Sequence, residues 1–252
     1  MTILVFKFKL EDQITQSRRK IIGQRVYLFY KGKVAYGLFK GLNIYEQSAW
    51  SGSMDTGSKI LGTYEKHIQL WISEKNLSSI VFLDVGASDG YYALGMIKSK
   101  VAESSIAYEL SLKDRDIIKS LSLKNEMSTK IELKGEASSS TIINDLKNKK
   151  IQLILIDIEG QEYNLITREL LFAAQNCFII IEVHKLGSQY TLDEFKRLCE
   201  TFHDVEELND FEKKLPKDEF TENLTDNERV LLLSEGRGYG MIWFALSPKL
   251  KA

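Results

Sequence analysis

Acidic residues crowd the end of one apolar run in this sequence. The run Ile151–Ile156 is followed directly by Asp157, Glu159 and Glu162. Carboxylates held close together raise each other's pKa and often serve a function, so the spacing indicates a catalytic or ligand-binding edge. Glu162 has a second explanation, because an acidic residue that opens a helix is stabilised by the helix dipole. Asp157 and Glu159 are therefore the stronger candidates for chemistry.

A second apolar run, Phe178–Val183, contains Glu182 and is followed by His184. Residues two apart on a strand point to the same face, so both side chains are expected on one side. A histidine at a strand end can act as a general base toward a hydroxyl. The sequence predicts this role for His184 first, and for Asp157 or Glu159 second.

A divalent ion is the alternative to a general base. Held by Asp157, Glu159 and Glu182, it would make a bound hydroxyl easier to deprotonate. The spacing of these three residues matches no diagnostic ligand pattern, so no metal is predicted.

A glycine loop joins a predicted strand to a predicted helix. It contains Asp84, Gly86, Ser88, Gly90 and Tyr91. Glycines at such a junction let the backbone approach a ligand closely. The spacing is not the Gly-x-Gly-x-x-Gly of dinucleotide folds, and a carboxylate at Asp84 would repel a pyrophosphate. The loop suits a cationic ligand such as the ammonium of a methionyl group near a sulfonium, although a capping aspartate with two turn glycines is the simpler alternative.

Two further positions follow neighbouring predicted strands. Glu109 lies 19 residues past Gly90, and a carboxylate there can accept hydrogen bonds from both hydroxyls of a ribose. Ala137 ends the stretch Lys134–Ala137, which would border an adenine or form a simple turn.

The composition limits the classes of protein that these residues can serve. The chain has 252 residues, 44% of them hydrophobic, and 34 basic against 35 acidic residues. This balance argues against general phosphate-backbone binding, so no nucleic-acid partner is predicted. Cys177 and Cys199 are too few for a disulfide scaffold, and reduced thiols in a cytoplasmic protein are expected. No apolar run approaches the roughly 20 residues of a membrane span.

The order of apolar runs and helical stretches predicts the elements that position these residues. Runs at Ile80–Leu83, Ile106–Tyr108 and Ile131–Leu133 precede the two runs named above, with helical stretches between them. Strands that alternate with helices predict a parallel sheet covered on both faces. Val230–Leu233 and Met241–Leu246 are predicted to form a final antiparallel pair, because their connection is too short for a crossover helix.

Residues 1–58 are predicted to be a β-rich extension of a domain over residues 59–252. The segment is rich in aromatic and β-branched residues, and Lys31-Gly32-Lys33 indicates a hairpin turn between Val26–Tyr30 and Val34–Tyr36. Its aromatic residues could equally form an oligomer interface or cover an active site.

Together these motifs resemble the FkbM-type family of S-adenosylmethionine-dependent methyltransferases. The most specific element is Asp157-Ile-Glu159-Gly-Gln-Glu162, followed by Glu182-Val-His184, and the resemblance covers roughly residues 60 to 246. It implies an α/β, Rossmann-like class I methyltransferase sheet of seven mostly parallel strands with an antiparallel last strand. It also implies S-adenosylmethionine as cofactor, and O-methylation of a sugar, glycan or small-metabolite hydroxyl.

The resemblance also implies roles for individual residues. The cofactor-binding residues would be these: Asp84, Gly86, Ser88, Gly90, Tyr91, Glu109, Ala137, Asp157 and, from an upstream segment, Glu65. Glu182 would face the substrate, and Arg237 and Tyr239 of the last loop would either face it too or be ordinary exposed loop residues. Ser88 and Asp89 depart from the Asn-Ile-Gly form common in the family's loop, which affects the cofactor contacts but not the fold.

Other functions fit the sequence less well. Methylation of an exocyclic base amine usually needs a Pro-Pro-aromatic turn after the fourth strand, where this chain has Ile158-Glu-Gly160. A nicotinamide dehydrogenase is disfavoured by the glycine spacing and by Asp84. The remaining alternative is a methyltransferase-like domain that binds the cofactor or assembles with a partner without transferring a methyl group.

Overall fold

The computed structural model describes residues 2–46, 54–184, 191–209, 212–235 and 242–249, with side chains from residue 13 onward. The chain divides into two compact units. One unit comprises Met1–Gln69 and Asp210–Tyr239, and the other comprises Leu70–Asn209 and Gly240–Ala252. No helix among the described residues is long and apolar enough to cross a bilayer.

The elements follow one another along the chain in a largely alternating order. The described helices are α1 Thr2–Phe29, α2 Thr56–Leu61, α3 Lys66–Glu74, α4 Tyr91–Lys98, α5 Leu112–Lys124, α6 Ser139–Asn148, α7 Glu162–Leu165, α8 Arg168–Ala173, α9 Leu192–Glu200, α10 Glu219–Glu222 and α11 Asp226–Leu233. The described strands are β1 Ile80–Val85, β2 Ala102–Tyr108, β3 Ile131–Lys134, β4 Ile151–Ile156, β5 Phe178–Val183, β6 His203–Leu208 and β7 Ile242–Pro248.

The seven described strands form one sheet in the order β3-β2-β1-β4-β5-β7-β6. Strands β1 to β5 pair in parallel, while β7 runs antiparallel to both β5 and β6. This arrangement confirms the predicted α/β class and the antiparallel last strand. The strand order reverses between β1 and β4, and ligands of open α/β sheets bind at the carboxyl ends of the strands beside such a reversal.

Burial explains why the apolar runs are the central strands. The last four residues of β1, β2 and β4 are all buried, as the continuous apolar run of a parallel strand covered on both faces requires. Helix α9 begins at a capping box, in which the side chains of Thr191 and Glu194 each accept a hydrogen bond from the other's backbone nitrogen.

The carboxyl-terminal part of the prediction is wrong in two places. Val230–Leu233 is not a strand but the end of α11, whose N-terminal cap is the Thr225–Glu228 capping box. The last strand, β7, instead lies between β5 and β6, and β6 is absent from the predicted strands. Strand β6 escapes a pattern search because its sequence, HDVEEL, contains only two apolar residues.

The predicted β-rich character of residues 1–58 is also wrong. Residues 2–29 form the single helix α1, and Val26–Tyr30 lies at its end rather than in a hairpin. Arg19, Ile22 and Val26 are buried at helical spacing, and Arg19 pairs with Asp55 at 2.9 Å. Burial of one helix face outweighs the β propensity of the valine and aromatic residues. The domain boundary at residue 58 stays a prediction.

The aromatic residues of this segment contact one another within the first unit. Tyr30 packs against Phe29, Tyr36 and Phe220, and the hydroxyls of Tyr30 and Tyr36 both donate to Asp218. An oligomer interface through this segment remains a prediction. Trp50, another aromatic residue of the segment, lies outside the described residues.

Candidate functional site

The loops that follow β1 and β4 are in direct backbone contact. A Cβ atom built on Gly86 would lie 1.8 Å from the carbonyl oxygen of Asp157, and Gly86 has φ +90°. Any larger residue would collide with backbone at this point. The amide of Asp157 also donates to the carbonyl of Val85 at 2.9 Å. The glycine loop and the acidic segment are therefore two sides of one site.

Backbone hydrogen bonds fix the glycine loop to the end of β2. The amides of Gly86 and Ala87 both donate to the carbonyl of Tyr108, at 2.9 and 3.0 Å. Ser88 and Gly90 have positive φ angles of 50° and 78°, and Gly90 is the N-terminal cap of α4. The loop thus opens a helix directly after a parallel strand, as the sequence predicts.

Glu109 follows β2 and binds the glycine loop. Its Oε2 accepts a hydrogen bond from the amide of Ser88 and its Oε1 accepts one from Ser111, both at 2.8 Å. Each carboxylate oxygen keeps a second lone pair. Ribose binding by Glu109 stays a prediction, and the structure adds that the same side chain holds the loop in place.

Asp84 is the charged residue most deeply placed in this loop region. Its side chain is buried, and Oδ2 has no hydrogen-bond partner among the described residues. Burial, helped by the nearby carboxylates of Glu109 and Asp89 and opposed by a backbone hydrogen bond at Ala93, raises the pKa of Asp84 to about 7. A cationic donor beside Asp84 would favour its ionised form.

Glu162 organises the acidic segment after β4. It is completely buried, and its Oε1 accepts hydrogen bonds from the amides of Ile158 and Gly160 at 3.2 and 3.1 Å. The same oxygen lies 3.0 Å from Nδ1 of His184. Glu162 does open α7. Its contact with His184 is not predictable from the sequence, because nothing there marks a pairing between residues 22 positions apart.

His184 is held between two carboxylates. Its Nδ1 faces Glu162, and its Nε2 lies 3.3 Å from Oε2 of Glu159. The hydrogen bond to Glu159 and then that to Glu162 raise the pKa of His184 to about 10, so the imidazole is protonated at neutral pH. A protonated imidazole cannot accept a proton. The predicted role of His184 as a base therefore requires that the Glu159 contact be broken first.

Asp157, Glu182 and His184 come together at the ends of β4 and β5. One ligand atom from each residue lies within 4.8 Å of the others. The ion considered from the sequence has Glu159, not His184, as its third ligand. The structure turns the Glu159 backbone to φ +54° and leaves its side chain 57% exposed, at the rim of this group.

Of the remaining predicted residues, three are described and two are not. Tyr91 is buried at the start of α4, and Ala137 lies in the turn between β3 and α6. Glu65 belongs to the first unit, where its amide donates to Oε1 of Glu235 at 2.9 Å. Arg237 and Tyr239 are not among the described residues.

An open groove borders the turn after β3. It has a volume of about 390 Å³ and is lined in part by Tyr108, Lys134 and Asp145. The hydroxyl of Tyr108 donates to Asp145 at 2.7 Å, and Lys134 also pairs with that carboxylate. This ion pair satisfies the polar side chains on one wall of the groove.

Comparison with known proteins finds similarity in structure but no match in sequence. No protein-family model matches the chain, and no curated protein matches its sequence. Among solved structures, the METTL16 MTase domain has a TM-score of 0.50 at 12% identity, over 74% of this chain and 66% of that one. The B. subtilis m1A22 tRNA methyltransferase TrmK has a TM-score of 0.45 at 14% identity, over 71% and 64%.

A third structure was solved with S-adenosyl-L-methionine. It is Sp1610 of Streptococcus pneumoniae, a putative tRNA (m1A22) methyltransferase, with a TM-score of 0.47 at 16% identity over 75% and 76% of the two chains. The chain spans just under two thirds of TrmK.

The sheet order and the METTL16 likeness together define the class of fold. The chain has the seven-stranded, Rossmann-like fold of class I methyltransferases, with the glycine loop after β1 and the acidic segment after β4.

Proposed function

We infer that this protein binds S-adenosylmethionine and transfers its methyl group to a hydroxyl oxygen of a sugar, glycan or small metabolite. The observation that carries this proposal is the backbone contact between Gly86 and Asp157, because it joins a loop suited to the donor to a cluster suited to the acceptor. By the FkbM-type resemblance of the acidic motifs, the acceptor belongs to that family's class of hydroxyl compounds.

The loop supports a cationic donor. Asp84 offers a buried carboxylate oxygen with no partner among the described residues, which matches the ammonium of the methionyl group. Gly86 and Gly90 leave room for close approach of the ligand to the backbone. Glu109 keeps lone pairs for the two ribose hydroxyls while it holds the loop.

The cluster supports an oxygen acceptor. A hydroxyl is a poor nucleophile at neutral pH, so its proton must leave as the new bond forms. Asp157 and Glu159 supply carboxylates that can receive it beside the donor loop, and His184 can receive it once its contact with Glu159 is broken. The hydroxyl oxygen attacks the methyl carbon, the carbon–sulfur bond breaks with its electron pair on sulfur, and neutral S-adenosylhomocysteine leaves. Most of the acceleration comes from positioning and charge.

The proposal is tested first by ligand-dependent stability. S-adenosylmethionine, S-adenosylhomocysteine and NAD are compared in thermal unfolding, with a ligand at about 100 times its dissociation constant adding about 2.7 kcal/mol. We expect the two sulfur ligands to stabilise the protein and NAD to have no effect. Stabilisation by NAD alone would contradict the assignment of the glycine loop to a methionyl ligand.

Methyl transfer is then measured with radiolabelled S-adenosylmethionine. The acceptors include monosaccharides, glycans and hydroxylated metabolites, and also tRNA and protein, because TrmK is named for tRNA methylation. We expect label on a hydroxyl oxygen. Label on a nitrogen of tRNA or protein would overturn the assignment of oxygen, and cofactor binding with no transfer to any acceptor would favour the non-enzymatic alternative.

A further inference from the structure

We propose that Asp157, Glu182 and His184 form a binding site for one divalent cation of the first transition row, with Mn²⁺ as the matching ion. Their candidate ligand atoms all lie within 4.8 Å of one another, so small movements of the side chains would bring all three to a single ion. Binding of the ion does not depend on the proposed methyl transfer. Its use in catalysis does, and that part of the proposal rests on the proposed function.

The sheet itself positions the three ligands. Strands β4 and β5 pair in parallel, with Ile156 opposite Ile181. Asp157 directly follows β4 and Glu182 is the next residue of β5, so the two lie side by side at the carboxyl ends of these strands. His184 lies two positions after Glu182, where an extended chain returns to the same face. Ligands fixed by neighbouring strands lose little conformational freedom when an ion binds.

Glu162 supplies the second observation that indicates an ion. A carboxylate can only accept, so the short contact with Glu162 places the proton of His184 on Nδ1. The protonated imidazole carries its second proton on Nε2, where a metal ion would displace it and give the arrangement of the carboxylate–histidine–metal groups of known sites. The second oxygen of Glu162 is fully buried and has no partner among the described residues.

One side of the proposed ion site is open to solvent. Glu182 and His184 are buried, whereas Asp157 is only half-buried. Glu159 contacts Nε2 of His184 from the rim, at 3.3 Å, with a side chain that is 57% exposed. Such an exposed ion pair contributes little to the stability of the fold. An ion can therefore replace it without a rearrangement of the buried side chains. The open side is where water or an acceptor oxygen would complete the coordination.

The donor atoms select the kind of ion. Carboxylate oxygens suit Mg²⁺, Ca²⁺ and Mn²⁺, whereas imidazole nitrogen suits first-row transition metals. Mn²⁺ satisfies both preferences and keeps open positions for exchangeable ligands. Placed beside the donor loop, it would withdraw electron density from an acceptor hydroxyl and ease the loss of its proton.

Titration with MnCl₂ tests the site directly. The electron paramagnetic resonance signal of free Mn²⁺ reports binding to the full chain in chelator-free buffer, without cofactor or acceptor. We expect one ion per wild-type chain. Asp157→Asn and Glu182→Gln should each weaken binding at least tenfold, and Glu162→Gln should do so by about tenfold through the orientation of His184.

Glu103→Gln is the matched control, because Glu103 is an exposed carboxylate in the same sheet, near the amino end of β2. It should bind Mn²⁺ as the wild type does. Circular dichroism melting verifies that each variant folds, and the half-buried Asp157→Asn variant decides the test if Glu182→Gln does not fold. A wild-type protein that leaves the free signal unchanged up to millimolar Mn²⁺ would overturn the proposal, as would binding that both substitutions leave intact.

Methyl transfer in EDTA separates this proposal from the proposed function. Transfer that continues in EDTA, in a protein that binds no Mn²⁺, contradicts the ion and supports the function. Binding of Mn²⁺ that needs Asp157 and Glu182, with no transfer to any acceptor, supports the ion and contradicts the function.

Discussion

One half of the candidate site is shaped by backbone atoms and the other half by side chains. The loop after β1 is shaped by backbone, with glycines at positive φ and amides bonded to Tyr108 and Glu109. The cluster after β4 and β5 is made of side chains, with Glu162 buried between the turn amides and His184. The loop thus depends on the space around its backbone, whereas the cluster depends on charge and on pairing between distant residues. Substitutions that fill the space around the loop backbone should therefore cost the most stability. Substitutions that remove charge from the cluster should have effects that differ from one residue to the next.

The largest effect is expected from Gly86→Ala. The added Cβ would lie 1.8 Å from a backbone oxygen at φ +90°, so either the loop or the end of β4 must move. We expect a loss of more than about 4 kcal/mol of unfolding free energy. Chemical denaturation followed by circular dichroism measures it.

Gly135→Ala is the control for this substitution. Its new Cβ meets only the side chain of Arg115, at 3.8 Å, and its φ lies outside the left-handed region. Its stability should stay within about 0.5 kcal/mol of the wild type. Equal losses in the two variants would show that the tight backbone contact at Gly86 is not what makes the loop sensitive.

Asp84→Asn should show its effect as a dependence on pH. The pKa of Asp84 is raised from 3.8 to about 7, so between these values the folded state holds a proton that the unfolded state has released. Wild-type stability therefore falls as pH rises through this window and is level above it. At 1.36 kcal/mol per pKa unit, the variant should gain about 3 kcal/mol on the wild type between pH 5 and pH 8.

Unfolding free energies of both proteins across this range measure that gain. Because the two proteins share every other titrating group, the difference between them isolates Asp84. A difference that stays constant with pH would mean that the Asp84 carboxyl is not kept protonated by burial.

The same contrast explains how far prediction from the sequence alone can go. Glycines and acids at strand ends are local signals, so the loop residues and the acidic positions can be identified from the order of residues along the chain. The contact between Glu162 and His184 depends on the register of β4 with β5, which no local pattern records. Where burial and propensity disagree, as in α1 and α11, a run of apolar residues does not distinguish a helix from a strand.

Glu109→Ala should weaken S-adenosylmethionine binding by about 2 kcal/mol, or roughly thirtyfold. It removes the proposed ribose acceptor and also both hydrogen bonds to the amides of Ser88 and Ser111, so some stability is lost as well. Isothermal titration calorimetry measures the affinity.

Glu103→Ala, at an exposed position of the same strand, should leave the affinity unchanged. Glu109→Gln keeps an acceptor oxygen and should fall between the alanine variant and the wild type. Wild-type affinity in the alanine variant would remove Glu109 from the cofactor site.

The smallest changes in stability are expected from substitutions of the two carboxylates that contact His184, and these changes should differ in size. Glu162 is fully buried and accepts from two amides, whereas the Glu159 side chain is 57% exposed. Glu162→Gln should therefore cost about 1.5 kcal/mol at neutral pH, since hydrogen bonds to a buried charge are among the stronger ones. Glu159→Gln should change stability by less than about 0.5 kcal/mol, because an exposed ion pair contributes little. Urea denaturation of the two variants beside the wild type makes the comparison, and equal costs would mean that burial does not rank these two contacts. The buried hydrogen bonds of Glu162 would then add no more stability than the exposed contact of Glu159. The contrast between a loop built from backbone and a cluster built from side chains would then have no support in the measured stabilities.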